Sequence, residues 1–347
     1  MAMRPRALLA ALLLAFACHR AAPAPLPPES PNPGGPAASP RASETELETE
    51  TGRLAGLSPT LRRALDPDAF PPLPPIRPGS WRDRVHEPSQ SFDDFSAERF
   101  QRPTPERETL VLLPLGSYPV ELVVEEQRTV AVRTPELYEL RGFVGAYFGL
   151  PVDVVTPMPL EPLEPLELPS RDRAGRRQYD APALVDAFTP ALPEHAYSMV
   201  VLLNRDLFFT PEQAYGFGYG THRDRLAVMS FARLDPQATG ELHGIAAEER
   251  IRLRAYKLLA HETAHTFGLR HCDHHACVMN GIADELELDQ TPLHLCAVCL
   301  HKLLHATGVD PVARYRALAR WYEEFGLVDE AAWVDGRLAA ITGELPS

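Results

Sequence analysis

Three histidines and a glutamate share one short segment, His-Glu-Thr-Ala-His-Thr-Phe-Gly-Leu-Arg-His, with the spacing that a catalytic zinc site needs. Zinc prefers imidazole and thiolate ligands in tetrahedral geometry, and a catalytic zinc leaves one of its four positions to water. Because residues four apart lie on one face of a helix, His261 and His265 can both turn a ring nitrogen toward one ion. Gly268 can end that helix, since glycine tolerates the left-handed conformation of a sharp turn, and His271 then returns as the third ligand. The spacing therefore predicts a zinc ion held by three histidines.

Glu262 follows the first of these histidines and is expected beside the ion. Water at a catalytic zinc has a pKa of roughly 7, and a carboxylate within hydrogen-bond reach can take its proton and pass it to a leaving amine. We therefore predict Glu262 as a general base. The alternative is a surface helix whose histidines bind nothing, because His-Glu-x-x-His alone also occurs by chance. Here the motif continues through the glycine and the third histidine to Met279, in the order of the metzincin signature, which favours metal.

A second metal site is predicted directly after the third histidine. The pattern C-x4-C-x18-C-x2-C suits a closed four-thiolate zinc site, formed by Cys272, Cys277, Cys296 and Cys299. Because His271 and Cys272 are neighbours, metal on the cysteines would fix the backbone that directs the third histidine. The alternative is two disulfides, Cys272 with Cys277 and Cys296 with Cys299, since oxidising compartments favour them. The zinc interpretation gives two Zn²⁺ ions per chain.

The long histidine motif that runs directly into four cysteines resembles the hallmark of the archaemetzincins, a family of zinc metallopeptidases. Weaker similarities to such proteins lie at residues 177–179, 206–208 and 228–233, and residues 81–95 are similar to an upstream region of longer members. The resemblance covers about residues 60–345. By position it implies a catalytic zinc on His261, His265 and His271, the general base Glu262, Met279 under that zinc, and a second zinc on Cys272, Cys277, Cys296 and Cys299.

The expected fold class is α/β (α+β), a metzincin-like mixed twisted sheet with an active-site helix and a helical C-terminal subdomain that carries the four-cysteine zinc site. Apolar runs predict buried strands, and apolar residues at helical spacing predict helices. The predicted strands are 110–115, 152–155, 199–203 and 226–234. The predicted helices are 136–148, 181–188, 246–259 leading into the motif, 291–304, and further helices over 311–341.

Residues 226–234 are expected at the edge of the sheet beside the active cleft, as the strand in this order is in metzincins. An exposed edge can pair with an extended substrate backbone. Ser230 and Arg233 are then candidates for peptide contact. The alternative is an ordinary edge strand, in which these side chains contact solvent or a neighbouring carboxylate.

The N-terminus has the composition of an export signal. Arg4 and Arg6 precede an apolar run, residues 7–17, that has secretory length and is too short for a typical membrane span. The run ends in Leu-Ala-Phe-Ala-Cys, which resembles a bacterial lipobox, so we expect a signal peptide over residues 1–17 and a lipid on Cys18. Cleavage without lipidation is the alternative. The chain has five cysteines, and a four-cysteine metal site leaves Cys18 for the lipid.

Three further segments follow the predicted signal. Residues 18–59 are rich in proline, alanine and glutamate, a composition unable to build a core, so we expect a disordered, lipid-attached tether. Residues 60–106 form an N-terminal extension, which is also a candidate for a propeptide-like cover of the cleft. Residues 107–345 are expected to form the archaemetzincin-like catalytic domain. This organisation predicts an exported protein of the bacterial cell envelope, anchored to the membrane through Cys18.

The charge balance excludes one class of partner. A formal net charge of −13 argues against binding to nucleic acid. The leading interpretation is a zinc-dependent peptidase acting on peptides or proteins, with aminopeptidase and endopeptidase action both open. The alternative is a noncatalytic, zinc-stabilised peptide-binding protein at the cell surface. Glu262 argues against that alternative, because a binding protein needs no general base.

Overall fold

The computed structural model describes residues 51–343, except 53, 55, 100, 126, 127, 160–167 and 237–243. The predicted signal peptide, Cys18 and the predicted tether up to residue 50 lie outside these residues. Across the described ranges, no helix has both the length and the apolar run of a membrane span. Thr51 is buried, and its carbonyl accepts a hydrogen bond from His301 Nδ1 at 2.7 Å. The described end of the predicted tether therefore contacts the domain.

Strands and helices alternate through the first two thirds of the described chain, and helices alone follow. The strands are β1 (Thr109–Leu115), β2 (Val120–Glu125), β3 (Arg128–Arg133), β4 (Val152–Val154), β5 (Ser170–Arg173), β6 (Arg176–Asp180), β7 (Ala196–Leu203), β8 (Asp206–Phe208), β9 (Gly218–Thr221) and β10 (Leu226–Ser230). The α-helices are α1 (Pro59–Ala64), α2 (Trp81–Arg84), α3 (Phe92–Ala97), α4 (Leu137–Phe148), α5 (Ala181–Phe188), α6 (Ile245–Thr266), α7 (Glu285–Gln290), α8 (Ala297–Thr307), α9 (Pro311–Glu324) and α10 (Val328–Thr342).

The central sheet is mixed and has the strand order β4-β1-β7-β10-β9. The first four strands are parallel, and β9 runs antiparallel to β10. Side chains alternate between two cores: Leu112 and Val200 pack on the side of α4 and α6, and Val111 and Val201 on the side of α5. Strands buried on both faces, here β1, β7 and β10, have nearly continuous apolar sequences, which is why apolar runs predicted them. The fourth predicted strand, β4, is only partly buried.

The prediction that residues 226–234 form an edge strand is wrong. β10 pairs with β7 on one side and β9 on the other, and all of its residues are buried. The edge is β9, whose Gly-Tyr-Gly-Thr sequence has no apolar run. Ser230 donates its hydroxyl to the carbonyl of Arg205 at 2.7 Å, and Arg233 pairs with the Asp206 carboxylate at 2.6 Å. Both side chains therefore make contacts within the fold, as the alternative interpretation expected for Arg233.

The long helix α6 carries the histidine motif at its C-terminal end. Its last three turns are almost completely buried between the sheet and the C-terminal helices. The predicted helix over 291–304 begins only at Ala297, where Cys296 is the N-cap residue of α8. The predicted helical region 311–341 divides into α9 and α10 at Gly326, which has a φ of 70°. The mixed sheet, the active-site helix and the helical C-terminal part agree with the expected fold class.

Candidate metal centre

His261 and His265 lie on consecutive turns at the end of α6. The helix stops at Thr266, and Gly268 follows with a φ of 89°, in the left-handed region. The Leu269 N–H donates back to a carbonyl of the last helical turn at 3.3 Å, which closes the reversal. His271 thereby returns to the helix end, and one ring nitrogen from each of the three histidines lies within 4.8 Å of the others. The structure thus brings together the three residues that the spacing predicted as ligands.

Each of the three rings has its Nδ1 atom hydrogen-bonded to an oxygen, and the three distances are all 2.7 Å. The pairs are His261 with the Val278 carbonyl, His265 with the Leu269 carbonyl, and His271 with the Glu87 carboxylate. A carbonyl or an ionised carboxylate can only accept, so Nδ1 carries the proton and Nε2 keeps its lone pair. Imidazole ligands of zinc are held in this way. The donor set therefore fits a zinc ion bound by three Nε2 atoms.

Burial keeps two of these rings in the form that metal requires. It lowers the pKa of His261 to about 3 and the pKa of His265 well below its ordinary value. Zinc binds neutral imidazole, so protons at neutral pH compete little for these two ligands.

Glu262 points its carboxylate into the cavity beside the histidines and packs against the edge strand β9. A Cβ atom added to Gly218 would lie 2.4 Å from Glu262 Oε1, and one added to Gly220 would lie 2.8 Å from His265 Cβ. Only glycine lets β9 pass this close to α6. Burial raises the pKa of Glu262 to about 8 in the absence of a cation. The one sequence signal for this contact is the Gly-x-Gly pattern of residues 218–220.

The four predicted cysteines also come together. Their sulfur atoms lie within 4.8 Å of one another, all four side chains are buried, and none forms a disulfide. The structure therefore does not show the two alternative disulfides. Hydrogen bonds from neighbouring thiols lower the pKa of Cys272, whereas burial raises that of Cys277 and Cys296. A buried group of four sulfur atoms at this distance fits the donor set that structural zinc sites use.

The loop between Cys272 and Asn280 joins the two sites. The Cys272 N–H donates to the Met279 carbonyl at 2.8 Å, and the Asn280 side-chain amide donates to the Cys272 carbonyl at 2.6 Å. Val278, in the same loop, accepts from His261. Met279 is fully buried in this turn. Metal on the cysteines would therefore hold the backbone that fixes both His261 and His271.

Three residues of the N-terminal extension reach this centre, and none of them belongs to a predicted motif. Glu87 bonds His271, and that hydrogen bond lowers the pKa of Glu87. The Trp81 ring lies 4.6 Å from the His271 ring, centroid to centroid. Gln90 spans the turn after α6. Its side-chain amide donates to the Gly268 carbonyl and accepts from the Arg270 N–H, both at 3.2 Å. The only signal in the sequence was the similarity of residues 81–95 to an upstream region of longer archaemetzincins.

A cavity of about 930 Å³ opens at the metal centre. Four parts of the chain line it: the extension, residues 209–222 through β9, the end of α6 with the turn after it, and residues 282–283 before α7. Representative lining residues are Trp81, Glu87, Glu212, Tyr219, Glu262 and His271. The extension therefore forms one wall of the cavity.

Comparison with known proteins places the chain in a family. Residues 196–305 match the model of Peptidase family M54. The chain is 31% identical over 125 residues to Archaemetzincin from Halobacterium salinarum, an alignment that covers 36% of this chain and 70% of that protein. The chain belongs to the archaemetzincin family. It is accordingly a zinc metallopeptidase.

Longer archaemetzincins match more of the chain. Human Archaemetzincin-2 is 27% identical over 297 residues, which covers 78% of this chain and 80% of that protein. That alignment extends well upstream of residue 196, where the family model begins to match. The crystal structure of an archaemetzincin from Methanopyrus kandleri, 25% identical, covers 59% of this chain and 97% of that chain with a TM-score of 0.42.

Proposed function

We propose that this archaemetzincin hydrolyses peptide bonds in the cavity beside its three histidines, with Glu262 as the general base. The observation that carries the proposal is the position of Glu262. Glu262 is buried, lines the cavity and follows directly after His261, whose Nε2 lies 3.0 Å from Nε2 of His265. A carboxylate there is within reach of a water molecule at the metal.

We propose two zinc ions per chain. His261, His265 and His271 would hold the catalytic ion, and the four cysteines, Cys272, Cys277, Cys296 and Cys299, would hold the structural ion. Zinc at the histidines supplies Lewis acidity to the scissile carbonyl and lowers the pKa of water. The buried thiolate site supplies rigidity, because it fixes the loop that carries Val278 and aims His271.

The protein's own residues then perform the proton transfers. Glu262 accepts a proton from the attacking water and donates it to the leaving amine. A nearby cation favours the ionised carboxylate, so the bound enzyme has a Glu262 pKa below its metal-free value of about 8. Gly218 lets the Glu262 side chain lie against β9, and Gly220 lets β9 pass close to the Glu262 carbonyl and His265. As the edge of the central sheet, β9 offers an extended peptide a strand to pair with.

Aminopeptidase action is the more specific form of the proposal. Glu212 lines the same cavity from the segment before β9 and is exposed there. A carboxylate at this place can pair with the α-ammonium group of a peptide N-terminus. An enzyme that uses this pairing removes the first residue of its substrate.

The test is cleavage of a complex peptide mixture by the full-length protein and by Glu262→Gln, read by mass spectrometry. Glutamine keeps the size of the side chain and removes the base, so cleavage should fall about 10²- to 10⁴-fold while both zinc ions remain bound. Cuts after the first residue support an aminopeptidase, and internal cuts an endopeptidase. If folded, zinc-loaded wild-type protein makes no cuts, the noncatalytic peptide-binding protein becomes the better account.

We also propose that the protein is exported and attached to the bacterial cell envelope by a lipid on Cys18. The support is the charged and apolar N-terminus with its lipobox-like end. Expression of the full chain with Cys18→Ser should move the protein from the membrane fraction to the soluble exported fraction. An unchanged membrane fraction would contradict lipidation.

A further inference from the structure

The third histidine is held differently from the other two. His261 and His265 are oriented by backbone carbonyls of the loop and turn next to them, whereas His271 is oriented by a side chain 184 positions away in the sequence. Glu87 Oε2 lies 2.7 Å from His271 Nδ1. One metal ligand thus depends on a carboxylate from outside the matched region of the family model, residues 196–305.

We propose that Glu87 is a positioning residue of the catalytic metal centre, and that residues 81–90 are a permanent wall of that centre rather than a removable cover. The proposal rests on the function proposed above only in naming the histidines as ligands. A carboxylate bonded to the outer nitrogen of a ligating imidazole fixes the ring's tautomer and orientation and raises its basicity toward the metal.

The segment is anchored on both sides of Glu87. The Trp81 N–H donates to both carboxylate oxygens of Glu287 at 3.1 and 3.0 Å. The Trp81 ring covers Gly281 so closely that a Cβ atom there would lie 2.0 Å from it. At the other end Gln90 is buried and bonds the turn after α6, and its carbonyl accepts a hydrogen bond from the buried Lys302. The backbone on both sides of Glu87 is therefore fixed, and this fixes the position of the Glu87 carboxylate.

The geometry shows whether residues 81–90 line the metal centre or block it. A propeptide that blocks a zinc enzyme places a ligand at the position left open for water. Glu87 instead bonds Nδ1 of His271, which leaves Nε2 as the nitrogen available to the shared site. The cavity of about 930 Å³ is present with the segment docked. Removing the carboxylate should therefore weaken the site, whereas removing a cover would activate it.

The experiment measures zinc affinity in full-length wild type, Glu87→Ala and Glu87→Gln by competition with a chromophoric chelator. The catalytic site of Glu87→Ala should bind zinc about 10- to 100-fold more weakly, with the four-cysteine site unchanged as an internal reference. Glu87→Gln keeps an acceptor oxygen but loses the charge, so its loss should be smaller. A merely structural role would lower the stability of the fold without weakening zinc binding selectively at the histidine site.

The matched control is Glu98→Gln. Glu98 lies in the same extension, pairs with Arg270 at 2.8 Å and accepts a hydrogen bond from Gln90 at 3.3 Å, but it does not touch a histidine. Glutamine keeps an acceptor oxygen for Gln90, so this variant removes a charge near the site without removing the anchor. Its zinc affinity should equal that of wild type.

Two outcomes would overturn the proposal. Wild-type zinc affinity in Glu87→Ala would show that the hydrogen bond does not support the site. Faster peptide cleavage by Glu87→Ala, at unchanged affinity, would show that the segment is an inhibitory cover. Zinc affinity is measured without substrate, so the two proposals can fail separately. If Glu87→Ala binds zinc more weakly but the wild-type protein cleaves no peptide, this proposal stands and the proposed function fails.

Discussion

Gly218→Ala is expected to disable the catalytic site without changing any proposed metal ligand. Gly218 lies on β9, directly against the side chain of Glu262. An added Cβ atom would lie 2.4 Å from Oε1, 2.5 Å from Cδ and 2.6 Å from Cγ of Glu262. Carbon and carboxylate atoms cannot approach that closely, so the carboxylate must move or β9 must separate from α6.

The expected magnitude follows from these distances. Ordinary contact requires the carboxylate to move by about 1 Å, and a misplacement of that size can cost about 10²-fold in rate. Overpacking of a buried site also destabilises the fold by about 1 to 3 kcal/mol. The two effects separate in the measurements, because the free energy of unfolding reports the packing and kcat/KM reports the position of the base.

The assay compares kcat/KM on a peptide identified from the cleavage mixture, zinc content, and urea unfolding. The control is Gly336→Ala in the middle of α10, where an added Cβ atom meets nothing within 4 Å. That variant should keep wild-type kcat/KM and gain about 0.5 to 1 kcal/mol, because alanine is the better helix residue. Wild-type kcat/KM and wild-type stability in Gly218→Ala would refute the contact between β9 and Glu262.

Two further predictions concern buried charge and the thiolate site. Burial lowers the pKa of Lys257 from 10.5 to about 8. Between these two pH values the unfolded chain binds a proton at Lys257 that the folded protein does not, so the stability of the fold is highest above pH 10.5 and falls as the pH falls to about 8. In urea unfolding, the stability of wild type relative to Lys257→Met should therefore rise between these two pH values by up to about 3 kcal/mol, and a constant difference would contradict the burial argument. Cys296→Ser should lose the structural zinc and unfold at lower urea concentration than wild type; two zinc ions in this folded variant would show that the cysteines hold no metal.

The sequence was most informative where a feature is local. Histidines four apart on a helix, a glycine after the last turn, and cysteines at zinc spacing each depend on a few neighbouring residues, and the structure brings these residues together. Buried parallel strands were equally clear, because both faces of β1 and β7 are apolar.

What could not be predicted depends on contacts between distant parts of the chain. Nothing near Glu87 indicates that its carboxylate meets His271. β9 has no apolar run, because its glycines are needed where α6 passes, and the edge position was assigned to β10 instead. The pairing of β6 with β8 likewise brings together Gln178 and Asp206, which lie 28 positions apart and form a buried hydrogen bond at 2.9 Å in the folded protein.

The most direct test of the account is a zinc count combined with peptide cleavage, for full-length wild type and His265→Ala. The account predicts two zinc ions per chain and cleavage for wild type. It predicts one remaining zinc ion, on the cysteines, and no cleavage for His265→Ala. A wild-type protein with one zinc ion or none, or a His265→Ala variant that cleaves at the wild-type rate, would contradict the central claim.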